Sequence, residues 1–231
     1  NVQSQTSEKF NLGFENQSKE DKLSDGWFKW GNYELTIDDD AYLGKKSAKI
    51  QSDETGTSFG SIAYKIPANY TGKSITLEGC MKTENVENGF AGLLLRLDGN
   101  GGTLAFDNMQ NQNITGTKDW KKYSITLEYP ENVENIFIAG ILVGEGEAWF
   151  DGFTLSIDGE NIQTLKETEQ VLTKAQLDKT FDEGSLITLS NLTPKDTDNL
   201  ELLGRVWGFL KYHHPEIAKG NYNWDYELFK F

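Results

Sequence analysis

The sequence has few cysteines, few histidines and no long apolar run, and each shortage excludes a class of protein. Cys80 is the single cysteine among 231 residues, so no disulfide can form within the chain. The longest apolar run, Ile136–Val143, is far shorter than the ~20 residues of a membrane-spanning helix. With two histidines and no H-E-x-x-H, the sequence contains no familiar zinc-peptidase motif.

Basic residues are also scarce relative to acidic ones. The chain has 36 Asp and Glu against 22 Lys and Arg, a formal net charge of −14. This charge repels phosphate backbones and anionic lipid headgroups. We therefore expect no nucleic-acid partner, and the short apolar run predicts no membrane span.

The sequence is instead rich in aromatic residues, at 12%, and in short alternating segments. Apolar residues recur at every second position in 33–37, 62–66, 75–81, 123–127 and 153–157, the period of a half-buried strand. Ile136–Val143 is apolar on both faces, which we interpret as a central strand of a sandwich. About nine such strands without a helical pattern predict two packed sheets.

Glycine-rich segments between these strands are typical of turns. Asp98–Gly102 reads Asp-Gly-Asn-Gly-Gly and predicts a hairpin. Gly144-Glu145-Gly146 does not match a phosphate-binding loop, and we interpret it as a second hairpin turn.

The character of the chain changes after Asp158. Residues 159–195 are polar and predict a connector with one short helix over Lys174–Glu183. Apolar residues then recur at helical spacing, and Pro215 ends the helix: Leu200, Leu203, Trp207 and Leu210. We therefore divide the chain into a β-sandwich at 10–158, the connector, and a helical neck at 196–231.

The helical neck resembles the segment that precedes the catalytic region in secreted bacterial C-terminal-processing (tail-specific) serine peptidases. The resemblance covers about residues 172–231 and rests on Asn199–Pro215 and Lys219–Asp225. It implies a longer peptidase whose catalytic serine and lysine lie downstream, so no catalytic residue is expected in this chain. The partner that it implies is the downstream peptidase domain of the same polypeptide.

The front of the chain, about 10–158, resembles a galactose-binding or carbohydrate-binding-module jelly roll. The resemblance rests on these segments: Gly13-Phe14-Glu15, Gly26-Trp27, Gly44–Ala48, Asp119-Trp120 and Trp149–Asp151. The expected fold is thus mainly β, a jelly-roll β-sandwich (galactose-binding-like) followed by a small α-helical segment. The family often holds a structural Ca²⁺ with an early Glu and a late Asp, which implies Glu15 and Asp151 here. Gly152 stands where a second acidic residue is common, and no cofactor is required.

Aromatic and planar polar side chains are candidates for sugar binding, because sugar rings have apolar C–H faces and polar hydroxyl rims. The candidates are Trp27, Trp30, Tyr33, Arg96, Asn108 and Gln110. In the alternative interpretation the Trp residues fill the sandwich, Arg96 pairs with a neighbouring carboxylate, and Glu15 and Asp151 are surface acids. His213-His214 ends a helix, where a cation is favourable, and we interpret the pair as structural.

The leading functional hypothesis is a non-catalytic accessory region of a secreted serine peptidase that positions the protease or binds substrate or glycan. The alternative is an independent carbohydrate-binding module with a polysaccharide or peptide partner, and a self-contained hydrolase ranks last. The polar lead Asn1–Lys9 is what remains after a signal peptide is removed or a chain is trimmed. We accordingly expect a secreted, periplasmic or cell-surface location in a bacterium.

Overall fold

A computed structural model describes residues 8–17, 23–53, 55–168, 173–185 and 187–230. The chain divides into two compact units, Asn1–Thr168 and Glu169–Phe231. Most of the predicted polar lead and the last residue of the predicted neck lie outside the described residues.

The described part of the first unit forms nine strands. They are β1 Trp27–Gly31, β2 Glu34–Asp38, β3 Ser47–Gln51, β4 Phe59–Pro67, β5 Ser74–Gly99, β6 Gly102–Asp107, β7 Gly116–Glu128, β8 Val133–Ile157 and β9 Glu160–Asn161. Every pairing among them is antiparallel.

Two long strands, β5 and β8, build both layers of the sandwich. The first layer has the order β1-β4-β8-β5-β6 and uses the first half of β8 with the second half of β5. The second layer has the order β2-β3-β8-β5-β7 and uses the other halves. Because both strands cross between layers, the hydrogen bonds form one continuous sheet folded on itself. The predicted jelly-roll β-sandwich is confirmed.

The crossing of β8 corrects the interpretation of Gly144-Glu145-Gly146 as a hairpin turn. The segment lies inside β8, where Gly144 and Gly146 have φ of 82° and 111°. A Cβ atom there would lie 2.5 Å from the carbonyl oxygens of Glu87 and Asn85, respectively. Glycine is therefore needed for both the positive φ and the close approach of β5.

The core lies between the layers. Leu93, Leu95 and Leu97 of β5 are fully buried, as are Leu77 in the other half of β5 and Leu155 in β8. Burying each such side chain contributes about 1.5–3 kcal/mol. The alternation seen in the sequence thus points one set of side chains inward, as predicted.

The second unit contains four α-helices among its described residues: α1 Lys174–Leu177, α2 Pro194–His213, α3 Pro215–Ala218 and α4 Trp224–Glu227. Thr193 caps α2 through a capping box with Asp196, and Pro194 fits the first turn. The small helical segment expected after the sandwich is confirmed. In the described ranges, no helix combines the length and apolar character required to cross a membrane.

Candidate functional site

The outer face of the second layer is polar where β5 pairs with β7, and it carries Trp149 on β8 between Lys49 and Lys82, whose Nζ atoms lie 4.7 and 4.8 Å from the ring centroid. The Thr76 and Thr126 hydroxyls lie 2.9 Å apart across two strands. Lys122 Nζ lies 2.9 Å from a Glu78 carboxylate oxygen.

The outer face of the first layer is apolar instead. It carries a second hydrophobic cluster, separate from the core, made of Phe28, Trp30, Ala63, Phe90, Leu94, Ala139, Ile141 and Val143. Pairing of β1, β4, β8 and β5 places these residues side by side. We call this surface, with Phe59, Lys65, Arg96, Phe106 and Phe137, the aromatic face.

The aromatic face contains a row of alternating cations and rings. Register pairs Lys65 with Phe137, Phe137 with Arg96, and Arg96 with Phe106 on successive strands. Lys65 Nζ and Arg96 Cζ lie 5.8 and 6.0 Å from the centroid of the Phe137 ring. Trp30 packs against the same ring at a centroid distance of 5.4 Å. The row combines ring faces with charged hydrogen-bond donors.

Asp98 fixes the orientation of the Arg96 guanidinium. Arg96 Nε and Nη2 donate to the two carboxylate oxygens of Asp98 at 2.7 and 2.8 Å. This fork lowers the pKa of Asp98, and Arg96 is its largest cause. Held in this way, the guanidinium presents a planar polar group beside the rings.

Asn108 and Gln110 follow β6 at the edge of the aromatic face. A Cβ atom on Gly92, which belongs to the outer side of β5, would lie 2.5 Å from the Asn108 carbonyl oxygen. The Asn108 side chain accepts the Gln110 backbone N–H at 3.2 Å. The structure thus brings Trp30, Arg96 and Asn108 to one surface, while Gln110 lies exposed next to it.

Trp27 and Tyr33 lie in the core rather than on the predicted ligand face. The Trp27 indole N–H donates to the Asn11 carbonyl at 2.7 Å, and its ring lies 4.3 Å from the Phe14 ring. The Tyr33 side chain is 0% exposed, and its hydroxyl lies 2.8 Å from the Gly144 carbonyl oxygen. Both polar atoms are satisfied internally, so these two predicted site residues are corrected to core residues.

Sequence analysis missed the rings that complete the aromatic face: Phe28, Phe59, Phe106 and Phe137. Phe59 and Phe106 are 40% and 49% exposed. The signal was the run Ile136–Val143, since only one side of a strand in a two-layer sandwich needs to be apolar. Apolar residues on its second side indicated an apolar outer face.

Glu15 and Asp151 meet at a second location, a cavity of about 350 Å³ beside Leu43 and Gly44. Asp151 Oδ2 accepts the N–H groups of Tyr42 and Leu43 at 2.8 and 2.7 Å, and Oδ1 accepts that of Gly152 at 2.5 Å. Glu15 Oε1 accepts the N–H groups of Lys45 and Lys46 at 2.7 and 3.1 Å, so the two carboxylates together hold the loop at 42–46.

Burial raises the pKa of Asp151, and the three N–H groups lower it without cancelling that effect. The charge of Glu15 adds to the increase, so the two carboxylates repel each other. Their hard oxygens fit Ca²⁺. Within the described ranges no group of three or more His, Cys, Asp and Glu side chains gathers around a metal position. Backbone carbonyls would have to supply the remaining ligands.

His213 and His214 have structural contacts. The His213 ring lies 4.8 Å from the Phe209 ring within α2, and His214 Nδ1 accepts the Glu216 N–H at 3.3 Å at the start of α3.

The fold and the aromatic face define a jelly-roll β-sandwich with an apolar outer surface, followed by a helical unit. No family model matches the chain. One curated relative, described as the uncharacterized HTH-type transcriptional regulator YbfP of Bacillus subtilis (strain 168), is 34% identical over 145 residues. That match covers 58% of this chain and 48% of the relative, so the chain spans about half of the relative's length.

Solved structures with partial similarity include three described as binding or holding carbohydrate. A xylan-binding domain of carbohydrate-binding family 22 has a TM-score of 0.49 and 12% identity, over 68% of this chain and 98% of its own. The CBM22-1 xylan-binding domain of Paenibacillus barcinonensis Xyn10C has a TM-score of 0.43 and 15% identity, over 63% of this chain and 91% of its own. TmCBM61 in complex with β-1,4-galactotriose has a TM-score of 0.42 and 15% identity, over 64% of this chain and 95% of its own. No site or activity is transferred from similarities of this size.

Proposed function

We propose that the aromatic face binds a carbohydrate chain. The observation that carries the proposal is the apolar cluster on the outer face of the first layer, with the neighbouring rings of Phe59 and Phe106 40% and 49% exposed. Rings stack on the apolar faces of sugars, and Arg96, Lys65 and Asn108 supply hydrogen-bonding groups for hydroxyls. An apolar sheet face with a few oriented polar groups has the composition of a ligand site.

The dimensions favour an oligosaccharide over a single sugar. Five strands, β1-β4-β8-β5-β6, lie side by side in this layer. Neighbouring strands are about 4.8 Å apart, so the face is about 19 Å wide. A chain running across the strands would meet the Trp30 side first and the Phe106 side last.

Two measurements in sequence test carbohydrate binding: a glycan array to find the ligand, then titration calorimetry with it. Trp30→Ala and Arg96→Ala should each weaken binding, the former by about 30-fold or more, as for an aromatic hot-spot residue. Trp120→Ala is the matched control, since Trp120 belongs to β7 in the second layer and bonds to Asp40. Binding that survives both face variants, or no binding across the array, argues against the proposal.

A structural Ca²⁺ held by Glu15 and Asp151 forms part of the proposal for the first unit. When bound, the ion would neutralise the repulsion between the two carboxylates and tie the loop at Leu43 to β8. It takes no part in ligand chemistry.

We also propose that the chain belongs to a longer serine peptidase. This proposal rests on the resemblance of residues 172–231 to the segment that precedes the catalytic region in C-terminal-processing serine peptidases. None of the proteins named above is described as a peptidase. The coding sequence beyond Phe231 tests it: a downstream region with a nucleophilic serine and a lysine base supports a peptidase parent. A stop codon at that point would overturn it.

DNA binding is not proposed for this chain, although the curated relative is named as a transcriptional regulator. A net charge of −14 disfavours contact with phosphates. A secreted, periplasmic or cell-surface location accompanies the carbohydrate proposal and would be tested by fractionating cells of the source bacterium. Recovery only in the cytoplasmic fraction would contradict it.

A further inference from the structure

The two cations of the aromatic face lie on either side of one ring, that of Phe137. Lys65 and Arg96 are the register partners of Phe137 on β4 and β5, so the three side chains form a row across neighbouring strands. Neither cation is more than 6.0 Å from the ring centroid. Both cations can therefore reach a group at the rim of a molecule that stacks on this ring.

Both cations keep hydrogen-bond donors that the described part of the chain does not use. Lys65 is exposed, and among the described residues it takes part in none of the ion pairs found. The side chain of Arg96 is 40% exposed and donates to Asp98 through Nε and Nη2. Because a guanidinium has about five N–H groups, those on Nη1 remain available. The row therefore presents an unpaired ammonium and the free edge of a guanidinium.

The outer face of the second layer shows a similar arrangement whose charges are neutralised. There Lys49 and Lys82 flank Trp149, which is only 5% exposed. Lys49 pairs with Glu147 at 2.9 Å, and Lys82 pairs with Asp40 at 2.5 Å. Both lysines thus have a carboxylate partner within the chain. No described carboxylate does the same for the lysine of the aromatic face.

We propose that the ligand of the aromatic face is an acidic oligosaccharide, an inference that rests on the proposed function. One sugar ring stacks on the partly exposed Phe137. Its carboxylate or sulfate group accepts charge-assisted hydrogen bonds from Lys65 Nζ or Arg96 Nη1. The apolar remainder of the face holds the neighbouring sugars.

The net charge of −14 does not prevent this binding. At physiological ionic strength charges are screened beyond about 8 Å, and Lys65 and Arg96 lie closer than that to the ring of Phe137. Along β8, Glu134 lies three positions before Phe137, on the other side of the strand. Glu145 lies eight positions after it, hence about 27 Å away. One acidic sugar needs one or two cations, whereas duplex DNA carries a charge every ~1.7 Å.

Pairs of oligosaccharides that differ only in the acidic group test the proposal. Each member is titrated into the full chain by calorimetry at about 0.15 M salt. The pairs are oligogalacturonate with its carboxyl-reduced form, glucuronoxylan oligosaccharide with its carboxyl-reduced form, and sulfated galactan oligosaccharide with its desulfated form. In at least one pair the acidic member should bind about fivefold tighter or more. The first two pairs report on a carboxylate and the third on a sulfate.

Substitution of Lys65 tests whether the preference arises at the row. Lys65→Gln should lower the ratio of acidic to neutral affinity by about three- to fivefold, because glutamine keeps a donor but loses the charge. Lys65→Arg should keep the ratio. Lys121→Gln is the matched control and should leave the ratio unchanged. Lys121 is also exposed and lies 5.5 Å from the centroid of the Tyr123 ring, but it belongs to β7 in the second layer.

Several results overturn the acidic ligand and leave carbohydrate binding in place. These are an array on which only neutral glycans bind, no preference for the acidic member in any pair, or an unchanged ratio in Lys65→Gln. Equal losses in Lys65→Gln and Lys121→Gln do the same, because the preference would then come from overall charge. Absence of binding to every oligosaccharide of the pairs and across the array overturns both proposals.

Discussion

Replacement of Asp151 by alanine should destabilise the first unit by about 2–3 kcal/mol. The carboxylate accepts three backbone N–H groups. Leaving each of these N–H groups without an acceptor costs about 1–3 kcal/mol. The costs for the N–H groups of Tyr42 and Leu43 fall at the low end of that range, because these residues are 47% and 58% exposed and water can reach them. Relief of the burial cost of the carboxylate offsets part of the loss. For a domain of this size the melting temperature should fall by roughly 5–10 °C.

Thermal unfolding followed by circular dichroism, with and without Ca²⁺, measures this effect. Ca²⁺ at about 100 times its dissociation constant should stabilise the wild-type protein by about 2.7 kcal/mol and should not stabilise Asp151→Ala. Glu15→Gln separates calcium binding from the hydrogen bonds that hold the loop, because it removes one charge from the cavity and leaves the bonds of Asp151 in place. A loss below about 1 kcal/mol for Asp151→Ala would refute the anchoring argument. Equal calcium stabilisation of all three proteins would refute the ion site.

Three further predictions concern stability. Gly144→Ala should cost more than Gly116→Ala by about 1 kcal/mol or more in urea unfolding, because both have positive φ but only Gly144 lacks space for a Cβ; equal costs would exclude the steric effect. Trp27→Ala should cost about 3–5 kcal/mol as a core deletion, and a loss no larger than that of Trp30→Ala would contradict its core assignment. The lowered pKa of Asp98 means that its bond to Arg96 stabilises the fold above the unfolded-state pKa and is lost as pH falls through the folded-state value. The difference in unfolding free energy between wild type and Asp98→Asn, about 1 kcal/mol at most for this partly exposed pair, should therefore persist from pH 5 to 8 and shrink below about pH 4; a difference independent of pH would contradict it.

The sandwich was predictable because the alternation of apolar residues is local and strong. Tyr123, Ile125 and Leu127 lie on β7 as their period indicates. The long strands were not predictable, since β5 and β8 bend between layers through register shifts and glycines that resemble turn signals in sequence. Whether Gly144 and Gly146 end a strand or bend it depends on the close approach of Glu87 and Asn85, which are distant in sequence.

For the candidate site, the sequence predicts which residues share one side of a strand, but it does not predict which side faces outward. Trp27 and Trp30 belong to one strand and are three positions apart, so they face opposite sides, and only one of them can lie on a ligand face. That rule assigns Phe28 to the same face as Trp30. Which of the two faces is the outer one depends on how the layers pack, and this is set by long-range pairing with β4 and β8. The rings of Phe106 and Phe137 join Arg96 only through that pairing.

The aromatic face gives the first unit a surface that differs from an ordinary sandwich exterior. Ser61 lies within it, fully buried, and its hydroxyl oxygen has no hydrogen-bond partner among the described residues. Register pairs Ser61 with Trp30 and Ile141 on the neighbouring strands.

The most direct test of the carbohydrate proposal is amide chemical-shift mapping of the isotope-labelled chain during titration with the oligosaccharide that the array identifies. We predict that the largest shifts fall on Trp30, Arg96, Phe106 and Phe137, with none at Thr76 or Thr126 on the opposite face. Shifts concentrated on the opposite face, or on the helical unit alone, would contradict the assignment of the aromatic face as the binding surface.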